Sequence, residues 1–209
     1  MSLKKKVLLI FSLVRLVVLL FRVAFQMYVD NLQSFAIEPY ELSNSEMISL
    51  TKKITNLTST EERALFLESM YEIDQEVRAD ETTAIEKYGY ESKEHMLALS
   101  KMDSVDVVNL YLTKEYLDKY GYPDSVNYSD IAVYTPLLVF HHKSDFESYK
   151  QYFNYFYSSY KKGYLSAHRL SFSLNRKYMI KFGAQFQTEG KSYTDEEKII
   201  KLIELLDLR

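Results

Sequence analysis

Residues 59–87 read STEERALFLESMYEIDQEVRADETTAIEK, and this stretch decides the fold. Ser59 and Glu62 stand three apart, the spacing of a capping box that satisfies the free N–H groups at a helix start. Phe66, Met70, Ile73 and Val77 follow at spacings of 4, 3 and 4, which places them on one face of an α-helix. Neither Gly nor Pro interrupts the run before Gly89. The stretch therefore predicts one long amphipathic helix to about Lys87, ended by Gly89.

The same period recurs downstream. Helical patterns cover about 92–101 and 103–120, the second ending at Gly121-Tyr122-Pro123. Ser129 can cap a helix through His142, with Pro136 as a kink. Phe146, Tyr149, Phe153, Phe156 and Tyr160 repeat at 3, 4, 3 and 4, and Gly163 closes that helix. Residues Ser166 to Lys181 read as helix, and Gly183 to Tyr193 as extended or looped. Thr194 caps a last helix carrying Ile199, Leu202, Ile203 and Leu206. With five Gly and three Pro in 209 residues, punctuation is scarce for a sheet protein. The expected fold is mostly α: a single helical domain of about six to seven helices over residues 46–209, with room for a small β-hairpin near residues 183–193. Tyr and Phe together number 31, enough for a large aromatic core, which is the ordinary role of each aromatic stripe.

Ahead of this domain the chain changes character. Lys4-Lys5-Lys6 precede Val7-Leu8-Leu9-Ile10-Phe11, and the apolar run continues to Val29. A basic start before an apolar helix reads as a signal anchor or a signal peptide over residues 1–29. Arg15 and Arg22 interrupt the run, share one helix face and would each be costly at mid-bilayer. A third reading is an amphipathic helix lying on the membrane or on a partner. Small residues at a cleavage site are not evident, which favours the anchor over the cleaved peptide. Residues 30–45, with Pro39 and Ser43-Asn44-Ser45, read as a linker.

Charge agrees with that order. Residues 1–22 hold five Lys/Arg and no acid, so the remainder has 21 basic against 29 acidic residues, a net of −8. The positive-inside rule keeps the tri-lysine in the cytoplasm and sends the acidic body across, giving a single-pass membrane protein with an extracytoplasmic domain, or a secreted one after cleavage. An acidic body lacks the basic footprint of nucleic-acid binding. Without cysteine there is no disulfide, no thiol catalysis, no zinc–cysteine site and no lipoprotein anchor.

Three polar features interrupt the apolar stripes. Asp74 and Arg78 are four apart on one helix, so their side chains can meet. His141 and His142 point about 100° apart on a helix and cannot chelate one ion together. His142 continues the face of Ile131, Thr135 and Leu138. Asn175-Arg176 and the Gly183-Ala184-Gln185 turn form the third feature.

These residues also carry a resemblance. Asp74-Gln75-x-x-Arg78, Gly121-Tyr122-Pro123, His142, Asn175-Arg176 and Phe182-Gly183-Ala184-Gln185-Phe186 occur in the order of an uncharacterised bacterial family, domain of unknown function number 6624. Its pattern resembles D-Q-x-x-R, G-W/Y-P, Q-H-A-D, D-R and Y-G-T-Q, and the similarity covers roughly residues 60–206. Asn175 stands where the family tends to have Asp, Ala184 replaces Thr, and the segment before Gly183 is short. The resemblance supplies positions and no reaction.

Two functions fit the residues. One is a membrane-tethered domain that binds a small ligand or a protein partner through Asp74, Arg78, His142, Asn175, Arg176 and Gln185. The other is a hydrolase-like enzyme with His142 as general acid or base, Asp74 orienting the imidazole, and Arg78 or Arg176 stabilising an anion. No nucleophile elbow, phosphate loop or H-E-x-x-H is present. Neither a metal nor another cofactor is expected. The two readings separate on whether Asp74, His142 and Arg176 line one open pocket.

Overall fold

The fold was analysed in a computed structural model that describes residues 39–186 and 190–208. Among the described residues there are seven helices and no strand: α1 Asn44–Thr55, α2 Thr60–Tyr88, α3 Lys93–Tyr120, α4 Asp130–His142, α5 Phe146–Lys161, α6 Ala167–Phe182 and α7 Asp195–Leu206. The protein is mostly α-helical.

The helix starts are written in the sequence. Ser43, Ser59, Ser92, Ser129, Asp145, Ser166 and Thr194 are the seven N-caps, and each side chain accepts a bond from the backbone N–H three residues on. At Ser43, Ser59 and Thr194 the reciprocal Glu completes a capping box. Gly183 ends α6 at φ 73°, a left-handed conformation that costs glycine nothing and a side chain about 1–2 kcal/mol.

Two elements depart from the sequence reading. Helix α1 begins inside the stretch read as a linker; its signal is the Ser43–Glu46 box, which the polar run Ser43-Asn44-Ser45 obscures. Helix α3 runs unbroken through Met102-Asp103-Ser104, where two segments were expected. No Gly or Pro stands there, and Ser104 turns its hydroxyl back to the Ser100 carbonyl within the helix.

Helices α2 and α3 form an antiparallel pair: Glu81 meets His95, Arg78 meets Asp106, and Phe66 stacks on Tyr116. Helix α4 packs against both, α6 against α4, α5 and α7, and α1 against α3. One aromatic core joins them. Phe156, wholly buried, lies 5.2 Å from Phe140, 5.5 Å from Tyr149 and 6.0 Å from Tyr122, ring centre to ring centre. Burying side chains of this size contributes about 1.5–3 kcal/mol each, and this seam fixes α4 on α5. Pro136 disturbs the ladder of α4, and one turn earlier the Tyr122 hydroxyl donates to the Val133 carbonyl at 2.8 Å.

The α2 stripe turns out differently in one place. Phe66, Met70 and Val77 are buried, but Ile73 is 46% exposed while Asp74 is 1% exposed. The core-facing row is Phe66–Met70–Asp74–Val77, so a carboxylate holds a core position.

The expected single-pass membrane placement is corrected: among the described residues, no helix is long and apolar enough to cross a membrane. Helix α2 has the length but carries charge on nearly every turn, at about 2.5–3.5 kcal/mol per charge at mid-bilayer. Helix α4 is apolar but has 13 residues against the roughly 20 that are needed. The expected anchor, residues 1–29, lies outside the described residues, as do residues 187–189 of the expected hairpin; residues 183–186 and 190–193 form no strand.

A buried ion cluster at the end of α4

The core position of Asp74 dictates what must surround it. A lone carboxylate in an apolar interior is costly, so it requires donors. Helix spacing supplies the first: Arg78, one turn on, forks onto it with Nε 3.2 Å from Oδ2 and Nη2 3.1 Å from Oδ1. Gln75 Nε2 donates to Oδ2 at 2.8 Å. His142, from the last turn of α4, places Nδ1 2.9 Å from Oδ1. An ionised carboxylate only accepts, so Nδ1 carries the proton and the imidazole is oriented by its acid. Helix α3 then contributes Asp106, whose Oδ1 accepts from Arg78 Nη2 at 2.6 Å, and Met102, whose sulfur lies 3.1 Å from Nη1.

The two acids titrate in opposite directions. Burial alone pushes the Asp74 carboxyl up, but hydrogen bonds from His142 and Arg78 outweigh it and hold the group below its ordinary value. Asp106 is also pushed up by burial, and the Arg78 and His142 charges do not fully offset that, so it stays raised. Asp74, Asp106 and His142 present donor atoms within 4.8 Å of one another, a set that could hold a metal ion. Arg78 already bridges the two carboxylates, so its guanidinium supplies the charge that an ion would bring.

Behind this cluster α6 closes onto the carbonyl end of α4. Arg176 Nε donates to the His141 carbonyl at 2.9 Å, and the Lys177 ammonium donates to the Lys143 carbonyl. Lys177 is fully buried, with its Nζ 5.1 Å from the Tyr149 ring centre. Burial, with Arg176 adding to it, pushes its amine down to about 8. His141 is 7% exposed and stacks on Phe172 at 4.7 Å, and its Nδ1 is buried without a hydrogen-bond partner. Burial first, then the neighbouring His142, Arg176, Lys177 and Arg78, push its imidazole down to about 3.

The sequence candidates thus divide. Asp74, Arg78 and His142 meet in one cluster. Arg176 joins α4 next door, through a backbone carbonyl. Asn175 and Gln185 lie elsewhere, in an open cleft between α6 and α7 of about 840 Å³ that also takes in His168, Phe172, Tyr193 and Asp195. There Asn175 Oδ1 accepts from the Phe186 N–H at 3.0 Å and ties the turn after α6 to the helix. The six residues assigned to one binding site, Asp74, Arg78, His142, Asn175, Arg176 and Gln185, therefore do not all converge.

Sequence reasoning missed Asp106 and Lys177. Each had a signal. Asp106, Asn109, Thr113 and Tyr116 repeat at 3, 4 and 3 and are all buried, so α3 turns a polar stripe inward. Lys177 continues the buried row Leu170–Leu174 of α6.

No family model, no curated protein and no solved structure matches the chain.

Proposed function

We propose that this chain is a helical binding domain that receives a small ligand or a protein partner at the outer edge of the Asp74–Arg78–Asp106–His142 cluster. One observation carries the reading. Asp74 is sealed from solvent, whereas the side chains that hold it stay partly open, His142 at 14% and Arg78 at 24%. His142 spends Nδ1 on Asp74, and among the described residues nothing is bonded to Nε2. A buried acid that fixes donors at a surface pre-organises them for a ligand.

Native mass spectrometry of protein purified under mild conditions tests the reading. A bound species is expected on the wild type and absent from Asp74→Asn. Identical spectra for the two would remove the cluster from any binding role.

The hydrolase-like reading keeps one specific support, the Asp74–His142 bond that orients an imidazole as general acid–base chemistry requires. Against it stands Arg176, which reaches the His141 backbone and not the Asp74 carboxylate. Turnover of p-nitrophenyl acetate or p-nitrophenyl phosphate that disappears in His142→Gln would favour the enzyme; turnover independent of His142 would exclude it.

A further inference from the structure

Two cations at the carbonyl end of α4 have no carboxylate partner among the described residues. Arg176 commits only Nε, to the His141 carbonyl, and Lys177 commits its ammonium to the Lys143 carbonyl. The nearby acids are engaged elsewhere. Asp74 and Asp106 hold Arg78, Asp103 holds Lys143 at 3.0 Å, and Asp145 faces Lys114 at 3.8 Å, reaching Lys177 only at longer range. The carbonyl end of a helix carries about half a negative charge, less than two cations require.

The same place holds an unfilled polar position. The His141 side chain is more than nine-tenths buried, yet its Nδ1 has no partner. Orphaned buried polar atoms are rare and call for an occupant. His142 stands beside it, the two ring centres 5.5 Å apart, with Nε2 uncommitted. Phe172, stacked on His141, is 54% exposed, so this corner reaches the surface.

We infer that this corner seats a small oxyanion of the phosphate or carboxylate class, gripped by the two uncommitted Nη groups of Arg176, with Nε2 of His142 at its edge. The inference rests on the binding reading above and names its ligand class. A guanidinium fork matches two oxygens of such a group, which an ammonium cannot do. The anion offsets the surplus charge of Arg176 and Lys177. A protonated phosphate oxygen also offers the unpaired ring nitrogen of His141 a partner, which acetate lacks, so phosphate is expected to bind more tightly than acetate.

The test is a titration of the full chain with inorganic phosphate, and separately with acetate, at fixed ionic strength made up with chloride. Calorimetry gives affinity, and ¹H–¹⁵N imidazole spectra follow the His142 ring. Phosphate should bind saturably and shift that ring. Arg176→Gln should weaken binding about tenfold or more, the loss expected for a charge-assisted pair. Arg176→Lys, which keeps the charge and can still reach the carbonyl, should fold normally and also bind more weakly. Arg169→Gln is the control, because that guanidinium is already bidentate on Asp130 at 2.7 and 2.6 Å; it should bind as the wild type does. Phosphate acting no differently from chloride, or Arg176→Lys binding as tightly as the wild type, overturns the seat. Should glucose or Zn²⁺ move the His142 ring while phosphate does not, the oxyanion class fails and the binding reading stands. Should none of them move it, both fail.

Discussion

Asp74 on α2 and His142 on α4 meet in a 2.9 Å hydrogen bond across 68 positions of sequence. With Arg78 reaching on to Asp106, this contact ties the middle of α2 and the middle of α3 to the end of α4 through charge. A tie of this kind is one-sided in its energetics. Making it offsets desolvation; breaking it leaves a buried charge alone.

Asp74→Ala is therefore expected to destabilise the fold by about 3 kcal/mol, because Arg78 and His142 lose their shared acceptor. Urea unfolding followed by far-UV circular dichroism gives the number. The midpoint should fall with an unchanged slope. A shift below about 0.5 kcal/mol, the ordinary range for a surface substitution, would show that the cluster is held by its surroundings and not by its charges.

The two acids should respond oppositely to pH. Asp74 is depressed in the fold, so the unfolded chain binds its proton more readily. Its contribution is present above the ordinary carboxyl value and is lost as pH falls through the lower folded value. Asp106 is raised, so its contribution is present below the ordinary value and is lost as pH rises through the folded one. Relative to the wild type, Asp74→Asn should lose ground as pH increases from 3 to 6, and Asp106→Asn should gain it. Unfolding curves of the three proteins across that range decide the matter; parallel pH profiles would contradict the assignment.

Much of this cluster was legible, and what was not has a physical cause. Helix periodicity and N-caps are local, so α2, α4, α5, α6 and α7 follow from the sequence within a few residues. The Asp74–Arg78 pair is local too, one turn along a single helix. Partner choice across helices is not. Asp106 lies on α3 in a row with Asn109, Thr113 and Tyr116 whose period the sequence shows, but packing against α2 decides that this row faces inward. Arg176 read as an alternative to Arg78 for stabilising an anion, but the carbonyl end of α4 holds it apart from Asp74. Ile73, expected on the buried stripe, is exposed and its neighbour Asp74 holds the core position, because the residue next to an apolar stripe takes the core as easily as the stripe's own edge.

Phe156→Ala probes the aromatic seam independently of the charges. The ring is wholly buried against Phe140, Tyr149 and Tyr122, so its removal should cost about 3–5 kcal/mol by lost contacts and cavity formation. None of its ring partners belongs to the ion cluster, so the costs of Phe156→Ala and Asp74→Ala should add within about 0.5 kcal/mol in the double variant. Measured unfolding free energies that depart strongly from additivity would mean that seam and cluster share one packing unit.

Lys177 offers the last test, in the alkaline range. Its buried amine titrates near 8 in the fold against 10.5 as its ordinary value. Between those two values the unfolded chain binds more protons than the folded one, so stability rises with pH through that window. The reference is Lys177→Met, which fills similar volume and does not titrate. From pH 8 to 10 the wild type should gain on this variant, at up to about 1.4 kcal/mol per pH unit. Below pH 8 both states hold the proton, and the difference should be flat. A flat difference throughout would mean that the Lys143 carbonyl and the Tyr149 ring keep the ammonium charged as readily as water does. Binding of phosphate beside Arg176 would raise the folded value, so adding phosphate should narrow the window from its lower end. Chloride at equal ionic strength should leave it in place.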